Sequence, residues 1–381
     1  MIPYGRQHID DSDIKAVVDV LQSDFLTQGP VVPRFEAAVA SYCQARFAVA
    51  VNSATSALHL ACLALGLGPG DRLWTSAISF VASANCGRYC GADVDFVDVD
   101  PATGNLSLAA LSDKLQQAAK HGTLPKILVA VHLAGQSLNM QKLAAICSQY
   151  NVKIIEDASH AIGAKDGEQA VGHCSYSDVC VFSFHPVKPI TSGEGGMALT
   201  NSPALYQQMQ QLRSHGITRE ADKMPFGSDG DWYYAMTELG FNFRMTDLSA
   251  ALGLSQLNKL PDFMARRQAL AKIYDDALPS PWQPLYIAQP SHCSYHLYVI
   301  QQPGLALAEK ARLFKALREQ GIGVNLHYVP IPNQPYYQNL GQQPAAYPGA
   351  QRYYRESLTL PLFVDMSGDQ QQQVLEALAR L

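Results

Sequence analysis

Lys188 lies in the run FSFHPVKPITSGEGG (residues 182–196), just past a buried apolar strand, between two prolines and ahead of three glycines. A lysine wanted only for solubility does not need such surroundings. A free lysine is an ammonium at neutral pH, with a pKa of about 10.4, and an ammonium cannot attack a carbonyl carbon. Burial among apolar residues and rigid prolines favours the neutral amine, which can. Two other strand ends carry complementary groups. Asp157 closes the run VKIIED, and a carboxylate there is expensive unless a cation or hydrogen-bond donors hold it. After FAVAV comes Asn52-Ser53-Ala54-Thr55-Ser56-Ala57, small and hydroxyl residues that open a helix. Free N-terminal amides, the positive end of the helix dipole and the Thr55 and Ser56 hydroxyls make a phosphate cradle. Taken alone, the segment reads equally as an ordinary N-cap, and Asp157 as a loop brace.

The three strand ends together offer a phosphate cradle, a carboxylate and a lysine, with Ser183 at the end of the lysine strand. Neither GxGxxG after the first strand nor GxxxxGK[ST] is present, so the dinucleotide and Walker fingerprints are not met. The ligand that uses all three groups is pyridoxal 5'-phosphate: phosphate to the cradle, pyridinium nitrogen to the anion, aldehyde to the lysine as a Schiff base. Lys188 and Asp157 are then the catalytic pair.

These groups need a scaffold that brings strand ends to one edge. Short apolar runs at FAVAV (47), RLWTS (72), DVDFVDV (93), KILVAVHL (126), VKIIED (152), DVCVFSF (178) and GMALT (196) alternate with segments of helical spacing. Strands apolar on both faces, separated by helices, predict an α/β domain with a mainly parallel sheet flanked by helices. In such sheets ligands bind beyond the carboxyl ends of the strands. After about residue 245 the pattern changes to two long helices, TDLSAALGLSQLNKL and FMARRQALAKIYDDAL. A Pro-rich connector and a smaller C-terminal α+β domain follow. The expected division is 1–245, a large cofactor-binding domain with an N-terminal helical segment, and 246–381, interdomain helices plus the small domain.

Composition narrows the function classes. Charged residues make up 16% and hydrophobic residues 48% of 381, which fits a packed globular chain. The net charge of -5, with no Lys/Arg cluster, argues against nucleic acid. No apolar stretch has membrane-spanning length, and the N-terminus MIPYGRQHIDDSD lacks a signal-peptide pattern, so a cytoplasmic protein is expected. The eight cysteines are scattered in apolar segments and read as reduced core residues. Cys86 and Cys90 would share a helix face, but no second pair or nearby histidine completes a metal site.

The ordered set NSATSAL, SFVASAN followed by GADVDFVDVD, IIEDASHAIGA, FSFHPVKPITSGEGGMALT, ELGFNFRMTDLSAALGLSQL and VNLHYVPI resembles the fold-type I, pyridoxal-phosphate-dependent nucleotide-sugar aminotransferases over nearly the whole chain. The opening IPYGRQHIDDSDIKAVVDVLQSDFLTQGP, with HPVKPITSGEGG and RSHGI, is most similar to members acting in pseudaminic acid biosynthesis. Those enzymes aminate C4 of a UDP-linked 4-keto-6-deoxy-N-acetylhexosamine with L-glutamate as donor. The resemblance implies that Thr55, Ser56 and Ser183 hold the phosphate, Phe80 stacks on the cofactor ring and His160 lies beside it. It also implies a homodimer with shared active sites, in which the partner's Asn242 reaches the phosphate. His327 and Tyr328 would face the sugar nucleotide, with Tyr4, Thr27 and Gln28 at the entrance. His185 and Trp74 read as structural. Relatives that dehydrate sugars carry histidine at the lysine position, so Lys188 favours amination.

Three other readings remain: a member of the same family acting on another keto sugar nucleotide (a UDP D-xylo 4-keto, dTDP- or GDP-linked 4-keto, or 3-keto compound), a non-catalytic cofactor-binding regulator, and an α-amino-acid aminotransferase. The regulator would need a DNA-binding module that the sequence does not show. The amino-acid enzyme would need an arginine clamp, for which Arg352 and Arg355 are the candidates.

Overall fold

A computed structural model describes residues 1–288 and 291–381. Its centre is a seven-stranded sheet. The strands are β1 (Phe47–Val51), β2 (Arg72–Ser76), β3 (Asp93–Val97), β4 (Ile127–Val131) and β5 (Lys153–Asp157), then, after a small hairpin of β6 (Lys165–Asp166) and β7 (Gln169–Ala170), β8 (Val179–Ser183) and β9 (Gly196–Thr200). Their order is β1-β9-β8-β5-β4-β2-β3. Neighbours are parallel except around β9, which runs against both β1 and β8. The sheet is therefore mainly parallel, as expected.

The reversal of β9 has a consequence for the ligand edge. Val51, Asp157 and Ser183 end their strands at that edge, and β9 begins there, Gly196 pairing with both Val51 and Ser183. A Cβ on Gly196 would lie 2.5 Å from the Ala54 nitrogen, inside any normal contact. Only glycine lets β9 pass this close to the start of the helix that follows β1.

Helices cover both faces. After a first helix, α1 (Asp11–Leu21), Phe35 of α2 (Val31–Cys43) joins Phe182, Phe184 and the first half of a long helix to enclose one core on one side. On the other, Leu58, Leu60 and Cys62 of α3 (Ala54–Ala64) pack with Met209 and Leu212. All eight cysteines are buried free thiols. The long helix Asp247–Ala277 is continuous, whereas the sequence predicted two, broken before Pro261. Proline removes one backbone donor and usually kinks or ends a helix. Here Leu257, Leu260, Phe263 and Met264 on either side of it are buried in one core, and that packing carries the helix through.

The remaining layer pairs Tyr298–Gln301 with Ser357–Leu360 and backs them with helices Leu307–Glu319 and Gly368–Ala379. The N-terminus belongs to this layer: Ile2 is buried in it and donates to the Gly321 carbonyl, while Gly323 donates back to Ile2. That anchor sets Tyr4 beside His327. Among the described residues no helix is long and apolar enough to cross a membrane.

Candidate active site

A cavity of about 680 Å³ opens at the carboxyl edge of the sheet, and Tyr4, Thr55, Ser56, Phe80, Asp157, His160, Ser183, Lys188, His327 and Tyr328 all line it. One end is the start of α3. Ser53 caps the helix by accepting from the Ser56 amide, and the Ser56 hydroxyl bonds Asn52 at 2.7 Å. Asn52 is fixed from behind, its amide donating to the Phe243 carbonyl. Thr55, Ser56 and Ser183 thus gather hydroxyls around a helix N-terminus, which suits a phosphate.

Asp157 is 6% exposed. Its carboxylate accepts from the Ser83 hydroxyl at 2.6 Å, the Ser159 hydroxyl at 2.6 Å and the Ser159 amide at 3.2 Å. Among the described residues it makes no ion pair; its partners are neutral donors. A buried carboxylate held in this way lacks a counter-cation, and a pyridinium N–H would supply one.

Lys188 lies on the loop joining β8 to β9, where its amide bonds the His185 carbonyl. Burial pushes its ammonium down to about 8 from the usual 10.5, while the nearby Asp157 charge acts in the opposite sense. Much of Lys188 is therefore a neutral amine at mildly alkaline pH. Covalent loading of the cofactor-free protein should accordingly speed up about tenfold per pH unit below about pH 8 and level off above it. Stopped-flow absorbance after mixing checks this; a rate that does not change with pH would mean that the reacting amine is not this one.

The opposite wall is histidine-rich. The Ala134 amide donates to His160 Nδ1 at 3.2 Å, so His160 Nε2 carries the proton and donates to the Tyr328 hydroxyl at 2.9 Å. The Tyr328 hydroxyl thereby keeps its own proton to donate. Burial, followed by the nearness of Lys188 and His327, holds His160 well below the usual imidazole range. His327 is pushed down to about 3 by burial and Lys188, and its Nδ1 lies 2.9 Å from the Thr359 hydroxyl. Both rings are neutral under ordinary conditions. Phe80 is 58% exposed at the mouth, its ring 6.2 Å from that of Tyr328.

Phosphate cradle, unpaired carboxylate and depressed lysine thus share one cavity, and pyridoxal phosphate fits the donor set. Residues 7–379 match the DegT/DnrJ/EryC1/StrS aminotransferase family. The chain belongs to that family. It is a sugar aminotransferase, and pyridoxal phosphate is its cofactor. The chain is 36% identical, over 99% of its length and 96% of the relative, to the spore coat polysaccharide biosynthesis protein SpsC of Bacillus subtilis. It is also 36% identical to the UDP-4-amino-4,6-dideoxy-N-acetyl-beta-L-altrosamine transaminase of Campylobacter jejuni, over 96% of this chain and 94% of that one. Among solved structures it resembles Helicobacter pylori PseC, described as an aminotransferase involved in the biosynthesis of pseudoaminic acid, with TM-score 0.91, 30% identity and coverage of 100% and 98%. It likewise resembles the sugar aminotransferase Spr1654 of Streptococcus pneumoniae in its PMP-form, with TM-score 0.90, 29% identity and the same coverage.

Not every residue named from sequence reaches the cavity of this aminotransferase. Thr27 and Gln28 are exposed outside its lining, Thr27 bridging to Thr246 at the start of the long helix. Asn242 is also exposed and outside, bridged to Ser214, with its sequence neighbours Phe241 and Phe243 stacked on each other. His185, read as structural, lines the cavity, whereas Trp74 is buried beneath Lys114. Sequence reasoning placed Asn52 and Ser53 in the cradle segment without giving them a role, though both line the cavity, and it missed Ser83 and Ser159 as donors to Asp157 and His296 beside Lys188. The two serines had a signal, being hydroxyls in SFVASAN and DASH. His296 had none, since a single histidine ahead of a strand is unremarkable.

Proposed function

We propose that this aminotransferase moves an amino group from L-glutamate to C4 of UDP-2-acetamido-2,6-dideoxy-β-L-arabino-hexos-4-ulose, a UDP-linked 4-keto-6-deoxy-N-acetylhexosamine, in the cytoplasmic biosynthesis of pseudaminic acid. The observation that carries the chemistry is the depressed Lys188 amine sharing a cavity with the cation-free Asp157 carboxylate. The named activities of the Campylobacter and Helicobacter relatives support the substrate. When bound, pyridoxal phosphate supplies the aldehyde that carries the amino group and the ring that withdraws electrons from the reacting carbon.

The chain's own residues have distinct tasks. Thr55, Ser56 and Ser183 hold the phosphate, Phe80 covers the ring, His160 positions Tyr328, and Asp157 keeps a proton on the ring nitrogen. Lys188 would hold the cofactor and, once released, would take the proton from glutamate Cα in one half-reaction and deliver one to the sugar C4 in the other. His327, Tyr328 and Tyr4 face the sugar, with Thr27 and Gln28 further out at its entrance. In a homodimer, Asn242 of the partner subunit completes the phosphate cradle. The exposure of Phe226, Trp232, Met236 and Leu239, in the segment leading to Asn242, supports burial of this face against a second copy.

Identity to SpsC is equal at 36%, which favours one second reading: a different keto sugar nucleotide on the same chemistry. The two are separated by a half-reaction. The protein is converted to its aminated cofactor form with glutamate, then mixed with the 4-keto sugar of either C5 configuration while visible absorbance is followed. Return of the lysine-bound cofactor band with the L-arabino isomer alone is expected. Return only with the D-xylo isomer, or with neither, overturns the pseudaminic acid assignment and leaves the aminotransferase.

A further inference from the structure

His296 lies two residues before the strand Tyr298–Gln301 and more than a hundred residues beyond Lys188, yet its Nε2 lies 3.5 Å from Lys188 Nζ. The ring is 4% exposed and packs on His160 with centroids 4.5 Å apart. Its backbone is held on two sides. Leu297 donates to the Ala134 carbonyl, and the buried guanidinium of Arg267, from the long helix, bonds the carbonyls of Tyr295, His296 and Leu362. Gly135 permits this approach: a Cβ on it would lie 2.1 Å from the Ser294 hydroxyl and 3.2 Å from the His296 nitrogen. So rigid a mounting for a ring aimed at one amine calls for a reason.

The charged and titratable groups facing the ring are Lys188, His160, Arg267 and His327. Burial comes first and the nearness of these groups after it, and together they hold His296 well below the usual imidazole range, so it is neutral. A neutral imidazole does not compete with Lys188 for the proton, but it can accept a hydrogen bond from it. With the ring proton on Nδ1, which has no partner among the described residues, Nε2 is free to accept. With the proton on Nε2, the ring would instead occupy the amine lone pair that must attack.

We propose that His296 is a positioning residue for Lys188: Nε2 accepts an N–H from Nζ, fixing the side chain so that the amine lone pair faces the cavity. The proposal rests on Lys188 as the attachment lysine. In attachment, Nζ forms a double bond to the aldehyde carbon, and the carbonyl oxygen leaves as water with both amine hydrogens. His296 neither gains nor loses a proton overall.

The test uses cofactor-free protein mixed with pyridoxal phosphate, with the covalent adduct trapped by borohydride at intervals and weighed by mass spectrometry. A glutamine at this position places a polar atom near that of Nε2, and an asparagine reaches only as far as Nδ1. His296→Gln is expected to attach within about threefold of the native rate, and His296→Asn and His296→Phe about tenfold or more slowly, the value of one hydrogen bond. Affinity for pyridoxamine phosphate, which makes no bond to Lys188, should be unchanged in all variants that fold. Should His296→Phe fail to fold, the Gln and Asn pair decides. Native-rate attachment in the Asn variant, equal slowing in Gln and Asn, or a parallel loss of pyridoxamine phosphate affinity would overturn the positioning role. Neither sugar nor glutamate is needed, so a wrong substrate assignment leaves the outcome intact; attachment surviving in Lys188→Ala would instead indict the lysine.

Discussion

Lys188→Ala is expected to fold, to bind pyridoxal phosphate without a covalent bond and to lose turnover by a factor on the order of 10⁴ or more. Loss of proton transfer alone accounts for roughly 10² to 10⁴ of that. The lost attachment step adds to it. Stability should move the other way at neutral pH. Depression of the buried amine from 10.5 to about 8 means that keeping its proton costs the folded state at most about 3 kcal/mol, an upper bound because the side chain is only partly buried. A base with a lowered folded pKa carries this cost below that pKa. The cost fades as pH rises from about 8 towards the unfolded value, because there the unfolded chain binds the extra proton. The cofactor-free variant should therefore unfold at equal or higher denaturant concentration than the native protein at pH 7, with the gap closing above pH 8, although the space left by the side chain offsets part of the gain. Mass spectrometry after borohydride, turnover assays and denaturant melts at two pH values check the three parts. A normal rate in this variant would remove Lys188 from the chemistry altogether.

The sequence made legible what the strand ends impose. A carboxylate finishing VKIIED and a lysine just past DVCVFSF are chemically conspicuous because their local surroundings are apolar, and local surroundings are what a sequence displays. Parallel topology then brings Val51, Asp157 and Ser183 to one edge without further information. What was not legible depends on contacts made at long range. The reversal of β9, which sets Gly196 against the start of α3, reads in sequence only as another apolar strand. The long helix survives Pro261 because of cores that neither half of it announces. His296 meets Lys188 only because Arg267 and the 133–135 turn seat the chain ahead of its strand. Asn242, Thr27 and Gln28 came from resemblance, and all three are exposed and outside the lining of this chain's own cavity.

Asp157→Asn separates holding the cofactor from activating it. The substitution is nearly isosteric, and the surroundings can adapt: the Ser83 hydroxyl, which now donates to one carboxylate oxygen, can rotate to accept from the new amide nitrogen while keeping its contact with Ser79 at 2.6 Å, and the Ser159 hydroxyl and amide go on donating to the oxygen that remains. Folding should therefore be retained. Asp157 is the group that raises the Lys188 pKa against burial, so its removal drives that pKa below about 8 and enlarges the neutral fraction of the amine. Covalent attachment at neutral pH should accordingly be as fast as native or faster. Turnover should fall on the order of 10² to 10³-fold, because a neutral amide no longer sustains a positive charge on the ring nitrogen, and that charge is what makes the ring an electron sink. The opposite signs of the two effects make the result diagnostic. A variant slow in both attachment and turnover would mean that Asp157 acts as a brace for the loop around Ser159, and one normal in both would mean that the ring nitrogen finds its partner elsewhere.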